Sequence, residues 1–414
     1  MALKQDFMDK IYFDNSATTP LATEVIEVLI DSFKNSFANP SSIHELGRSA
    51  KKRIEEARTF IARSINAEPH EIFFLSGATE ANNTVFKACD YDLIITSPSE
   101  HASVIEAAKA SRQEIIWLNL DQEGYISLNE LENIIAKNSR IEILDKTLPA
   151  PEETAVQNTK NEIAQRSPKK ILVSIMHANS EIGTVQNLKA IGDLCEKYKA
   201  TFHSDCVQSL GKLDIDVKNY KLDLVSASAH KLHGPKGLGF IYIAEKLQDH
   251  ILDKALITGG GQERGFRAGT ENVNGIIAFA KALEVSLDPE KRNKVKELQK
   301  KLWLKIKNLK SVILNGPKNL EKRLSGNLNL SFMDLKFNSE QLVLQLDLKG
   351  ICVSSGSACT SNKKNTAEII ESSYVLRACQ IDEDIARRAI RISLSWMNDE
   401  AELEKLTEII TKLV

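Results

Sequence analysis

Up to about residue 245 the chain repeats one pattern: a short, almost wholly apolar run, a cluster of small or polar residues, then a stretch with helical spacing. The runs include Glu71–Leu75, Leu93–Thr96, the ILVSIM run that begins at Ile171, and Leu222–Ala229. Between them, Ile54, Ala57, Ile61 and Ile65 recur as one apolar stripe on a helix. Runs this apolar leave no strand face for water, so they predict an α/β fold with a mostly parallel sheet covered on both sides. Ligands in such folds bind beyond the carboxyl ends of the strands, and Asn179, Asp205 and Lys231 all fall at such ends.

The pattern changes after the Gly- and Arg-rich stretch ITGGGQERGFRAGTENV. A long helical region, Val273–Leu309, leads into a smaller α+β portion. Its elements are a strand in LSGNLNLSF, a helix in SEQLVLQLD, strands in ICVSS and IRISLSW, and a closing helix begun by Asn398 and Asp399. The expected layout is a large domain over residues 16–262 and a small one formed by 1–15 with 263–414. The polar segment 142–168 shows little periodicity and reads as an exposed insertion.

Composition narrows the partners. Lys+Arg 54 nearly balance Asp+Glu 56 in 414 residues, which leaves no footprint for nucleic acid or an anionic membrane. No run of about 18 apolar residues occurs, and MALKQDFMDKIYFDN lacks the order of a signal peptide, so a cytoplasmic location is expected. The six cysteines form no C-x-x-C pair, so no metal site is expected.

Chemistry concentrates in Leu222–Gly239, where an apolar run delivers Lys231 to a turn and glycines lead into the run Phe240–Ile243. An ammonium near an apolar wall loses hydration, which favours the neutral amine that attacks carbonyls; the alternative is a lysine snorkelling from a strand end. SGATEANN places the N–H groups of Gly77–Thr79 at a helix start, where an anion such as a phosphate would fit. Asp205, at a strand end in apolar surroundings, calls for a cationic partner or serves as a cap. Arg391 within IRISLSW needs a planar anion, either a ligand carboxylate or an internal salt bridge. Cys359 differs from the other cysteines in lying in a Gly, Ser, Asn and Lys segment, with Lys363 and Lys364 close by to favour a thiolate.

The segments YFDNSATTP, NPSSIHELGRSA, FLSGATEANN, EHASV, MHANSEIGTVQ, HSDCVQSLGKLDID, SASAHKLHGPKGLG, GGGQERGFRAGTENV, SSGSACTS, SYVLRA and RISL occur in order. Together they resemble the cysteine desulfurases of the NifS/IscS-like group, pyridoxal-phosphate enzymes of the class V aminotransferase fold. The resemblance implies an aspartate aminotransferase-like large domain, with Lys231 as the Schiff-base lysine. Asp205 would face the pyridinium nitrogen, Gln208 the phenolic oxygen, and His101 the ring, with Asn179 beside the cofactor and the substrate. Ala78, Thr79, Ser228 and His230 would hold the phosphate, and Thr270 would reach in from the second subunit of a homodimer. Arg391 would clamp the carboxylate of L-cysteine, and Cys359 would take its sulfur as a persulfide. Sulfur-acceptor proteins of iron–sulfur cluster assembly or tRNA thiolation would then receive it. Other readings are a selenocysteine lyase, another class V pyridoxal-phosphate enzyme, and a catalytically idle scaffold for sulfur acceptors. The sequence departs from the family pattern in the polar segment 142–168, in the residues SNKKNTAEIIES after Cys359, and in SLSWMNDEAE after Arg391.

Overall fold

The computed structural model describes residues 10–88, 90–139, 169–356 and 372–413; the 142–168 segment, Cys89 and Cys359 lie outside the described residues. After β1 (Ile11–Tyr12), a seven-stranded sheet is built from β2 (Ile72–Leu75), β3 (Leu93–Thr96), β4 (Glu114–Trp117), β5 (Ile171–Ser174), β6 (Thr201–Asp205), β7 (Leu224–Ser228) and β8 (Gly239–Ile243). Its order is β2-β8-β7-β6-β5-β3-β4, and β8 alone runs against its neighbours. The carboxyl ends of β2, β3, β5, β6 and β7 therefore share one edge.

Successive strand residues enter opposite cores, as the pleat requires. Ile72, Phe74, Leu93, Ile95, Ile171, Val173, Val225 and Ala227 pack on one face; Phe73, Leu75, Ile94, Leu172 and Leu224 pack on the other. Helices Thr23–Asn35, Glu45–Ser64 and Val273–Ser286 cover the first face. The expected long helix over Val273–Leu309 is two helices: Pro289 starts a second one, Pro289–Ile306, with Asp288 as its cap accepting from Glu290 N–H. The first of the pair carries Val273, Ile276, Phe279 and Leu283 into the larger core, although it lies beyond residue 263.

A second core gathers Ile11, Phe13, Leu298, Leu302, Leu328, Leu330, Ile390, Ile392 and Leu406. It is built on the antiparallel strands β9 (Val312–Asn315), β10 (Asn327–Phe332) and, following β11 (Ile351–Cys352), β12 (Ala389–Ser393), in the order β12-β10-β9. β1 pairs in parallel with β11, which ties the start of the chain to this core.

Candidate active site

Lys231 ends a short 3-10 turn, Ala229–Lys231, directly after β7. Its Nζ donates to Ser16 O (2.8 Å) and Ala17 O (2.5 Å). Those carbonyls are held there because Thr19 N–H donates to His230 O (3.0 Å) and His233 N–H to Thr19 Oγ1 (2.7 Å). The lysine thus stands at the mouth of the β7–β8 strand pair, under a strap made by the N-terminal segment.

Asp205 closes the neighbouring strand β6 and is buried. Its carboxylate accepts from Val207 N–H (3.0 Å) and from Asn82 Nδ2 (2.9 Å). Both donors are neutral, so the negative charge is hydrogen-bonded but not neutralised by them. A ring N–H+ would complete such a site. The chain of contacts continues from Asn82 Nδ2 to Ser103 Oγ (2.8 Å) and from there to His101 Nδ1 (2.8 Å). His101 is the cap of helix Ala102–Ala110 and accepts from Ser103 N–H, so Nδ1 acts as an acceptor.

The turn that opens helix Ala78–Ala88 packs beside β7 and β8. The first bond of helix Ala78–Ala88 runs from Ala81 N–H to Gly77 O (3.2 Å), which leaves the N–H groups of Ala78 and Thr79 ahead of it. A Cβ on Gly77 would come 3.8 Å from Ser228 Oγ, filling the space that the bare glycine leaves. His230 faces Thr18 Oγ1 (3.2 Å); burial, with the charges of Lys231 and Lys236, lowers its pKa to about 4, so the ring is neutral. The backbone at Gly239 packs against this turn so closely that a Cβ there would sit 2.7 Å from Gly77 Cα.

Gln208 donates from Nε2 to Ser16 O (3.0 Å), so it shares an acceptor with Lys231. Asn179 is placed differently from the others. Its Oδ1 accepts from Glu181 and Ile182 N–H, while Nδ2 donates to Ser99 O (3.0 Å) and Met176 Sδ (3.4 Å). Its amide shapes the turn after β5. Thr270 is exposed, on a loop tied back to the start of helix Ala78–Ala88 by the Arg267–Glu80 ion pair (3.1 Å). That loop is held from beneath by Glu263, buried against Arg58 (2.8 Å) and capping Phe74 N–H (2.8 Å).

Arg391 is 2% exposed, and the internal salt bridge weighed for it exists: Nη2 donates to Asp14 Oδ1 (2.6 Å). Its Nη1 reaches Ser180 O (3.4 Å), and its buried Nε has no partner among the described residues. Arg391 also exchanges backbone hydrogen bonds with Ser354, five residues before Cys359. On the far flank of the Cys359 segment, Tyr374 Oη donates to Glu100 O (2.8 Å).

Sequence reasoning missed Asn82, Ser103, Glu100, Asp14 and Lys212. Asn82 was in principle visible, because it lies four residues after Ala78 on the same helix face. Glu100 is fully buried and accepts from Met176 N–H (2.7 Å). Burial, reinforced by the charge of Asp205, pushes its carboxyl well above the ordinary range. Among the described residues no cluster of three or more His, Cys, Asp or Glu is arranged to bind a metal, and no helix is long and apolar enough to cross a membrane.

The family model for class-V aminotransferases matches residues 11–145 and 146–406. The chain belongs to that family. It is 36% identical over 417 residues to the cysteine desulfurase IscS of Clostridium botulinum, the match spanning 98% of this chain and 94% of that protein. Among solved structures it resembles a NifS-like protein from Rickettsia africae, at 30% identity and a TM-score of 0.80, covering 98% of this chain and 99% of the other. It also resembles SspA in complex with cysteine, at 31% identity and a TM-score of 0.72, covering 93% and 98% of the two chains. As a class-V aminotransferase-family enzyme it takes pyridoxal 5'-phosphate as cofactor. The uncompensated carboxylate of Asp205, the amine of Lys231 and the Gly77–Thr79 cradle fit that group's three recognition points.

Proposed function

We infer that this class-V enzyme is an L-cysteine desulfurase that takes the sulfur of L-cysteine onto Cys359 and leaves L-alanine. The reading is supported by the full-length similarity to cysteine desulfurases. The observation that carries it is the placement of Lys231 and Asp205 at the carboxyl ends of adjacent strands, with Arg391 in reach of the same strand edge through Ser180. When bound, pyridoxal phosphate supplies an aldehyde that takes up amines and an electron-poor ring that makes the Cα proton of an amino acid removable. Asp205 keeps the ring nitrogen protonated, and Lys231 carries protons to and from substrate carbon. Arg391 receives the substrate carboxylate through the guanidinium edge that Asp14 leaves open.

Cys359 attacks the substrate sulfur as a thiolate. A sulfur–sulfur bond forms, the carbon–sulfur bond breaks with its electron pair passing to Cβ, and a proton there completes alanine. The persulfide then passes to an acceptor protein of iron–sulfur cluster assembly or tRNA thiolation. Thr270, exposed beside the phosphate cradle, is proposed to complete the site of a second copy in a homodimer, and the cytoplasm is the proposed setting.

The test is Cys359→Ser in coenzyme-loaded protein. The visible absorption of the bound coenzyme should persist, and borohydride should still fix it to Lys231, while sulfide release from cysteine falls at least a hundredfold. Undiminished release would refute the persulfide step. Retained transamination with no desulfurisation in the wild type would point to an aminotransferase.

A further inference from the structure

Lys212 has no place in the chemistry assigned so far, yet it is wired into it. Its Nζ donates to Gln208 Oε1 (3.3 Å), Gln208 Nε2 donates to Ser16 O (3.0 Å), and the same carbonyl accepts from Lys231 Nζ (2.8 Å). An ammonium can bond only to the oxygen end of the Gln208 amide, and a carbonyl only to the nitrogen end. The two contacts therefore fix which way the amide points.

We propose that Lys212 is a positioning residue: it locks the Gln208 amide with its donor toward the cofactor's ring oxygen, and its charge favours the unprotonated state of the Lys231 nitrogen. This inference rests on the reading that pyridoxal phosphate is held at Lys231. The sign follows from the charges. Once that nitrogen loses its proton, the ring oxygen carries a negative charge with no adjacent cation, and both a hydrogen-bond donor and a nearby ammonium stabilise it.

The surroundings show why a lysine is kept here. Burial, with the charges of Lys231 and Arg391, lowers the Lys212 pKa to about 7, so below that pH the side chain is the ammonium that the Gln208 contact requires. Apart from Lys231, the other titratable groups lining the same small cavity, of about 50 Å³, are already engaged or neutral. Lys291 pairs with Glu24, Arg292 with Asp214, and burial lowers the pKa of His233 to about 4. Arg391 has Asp14. Apart from Lys231 itself, Lys212 is thus the cation lining this cavity whose hydrogen bond enters the Gln208–Ser16 relay.

The test is a pH titration of the visible band of coenzyme-loaded protein, which reports the protonation of the Lys231 nitrogen without turnover. Lys212→Met should raise the midpoint by about one pH unit, roughly tenfold in proton affinity. Gln208→Leu should shift it the same way, and the double variant should fall short of the sum by about half a unit, as residues in one network do. Lys212→Arg, which keeps donor and charge, should stay near the wild type, and Lys212→Gln substitutes if Lys212→Met does not fold. An unchanged midpoint in Lys212→Met, or full additivity, overturns the inference and leaves the coenzyme site standing. A wild type that forms no visible band with added coenzyme removes both.

Discussion

Replacing Asp14 with Asn tests whether the Arg391 ion pair holds the two ends of the chain together. Asp14 follows β1, Arg391 lies in β12, and 377 residues separate them. The contact is short at 2.6 Å, the arginine side chain is 2% exposed and the aspartate 19%, so bulk solvent screens it little. Removing one partner of a buried pair costs about 3–5 kcal/mol because the remaining charge is left uncompensated. An Asn oxygen in place of the carboxylate still accepts a hydrogen bond, and Ser180 O still touches Nη1, which reduces the expected loss to about 2–3 kcal/mol. The assay is urea unfolding of the coenzyme-free protein at fixed concentration, followed by tryptophan fluorescence, since Trp303 packs on the smaller core. Asp14→Asn and Arg391→Met should each lower stability, and the double variant should lose less than their sum. The loss from Asp14→Asn should survive in 0.5 M salt. A loss below about 0.5 kcal/mol, or one abolished by salt, would show that the pair behaves as a surface contact and that the reasoning from burial is wrong.

Gly239→Ala should be far more damaging than its size suggests. The added Cβ would sit 2.4 Å from Ala227 O and 2.7 Å from Gly77 Cα, both backbone atoms, so the Gly77 turn must move. A stability loss of about 3 kcal/mol and weakened coenzyme retention by equilibrium dialysis are expected; wild-type values for both would contradict the packing described. The buried histidines should also make acid destabilising between pH 6.5 and 4, against an opposite contribution from the buried carboxyls of Glu100 and Glu181, whose pKa values are raised. Burial lowers the pKa of His177 to about 4 and that of His203 to about 3. The unfolded chain then takes up protons that the folded one refuses, and the stability present above pH 6.5 is lost as pH falls, by about 3 kcal/mol per histidine. His203→Asn should make the pH dependence of urea unfolding shallower by about one proton; equal slopes would dismiss His203 as a source.

Much of the fold could be read along the chain because its signals are local. An apolar run of four or five residues, the small residues that end it and the helical spacing that follows are all contained within some twenty positions, and they led to the parallel sheet. They also set Lys231 at the mouth of β7 and β8, and Asp205 at the end of β6. Pro289 shows the limit of this kind of reading: the apolar spacing runs on through Val273–Leu309, but a ring without an N–H begins a new helix there. The electrostatic arrangement is another matter. Glu100, Lys212 and Asp14 look like any of the chain's other charged residues until folding decides which lose water and what faces them. Asp14 meets Arg391, Ser16 O meets Lys231 and Gln208, and Asn82 meets Asp205 across separations of 123 to 377 residues. Hydrophobic periodicity carries no information about such pairs, because the energy of a charge depends on burial and on a partner a few ångströms away, and the three-dimensional packing supplies both.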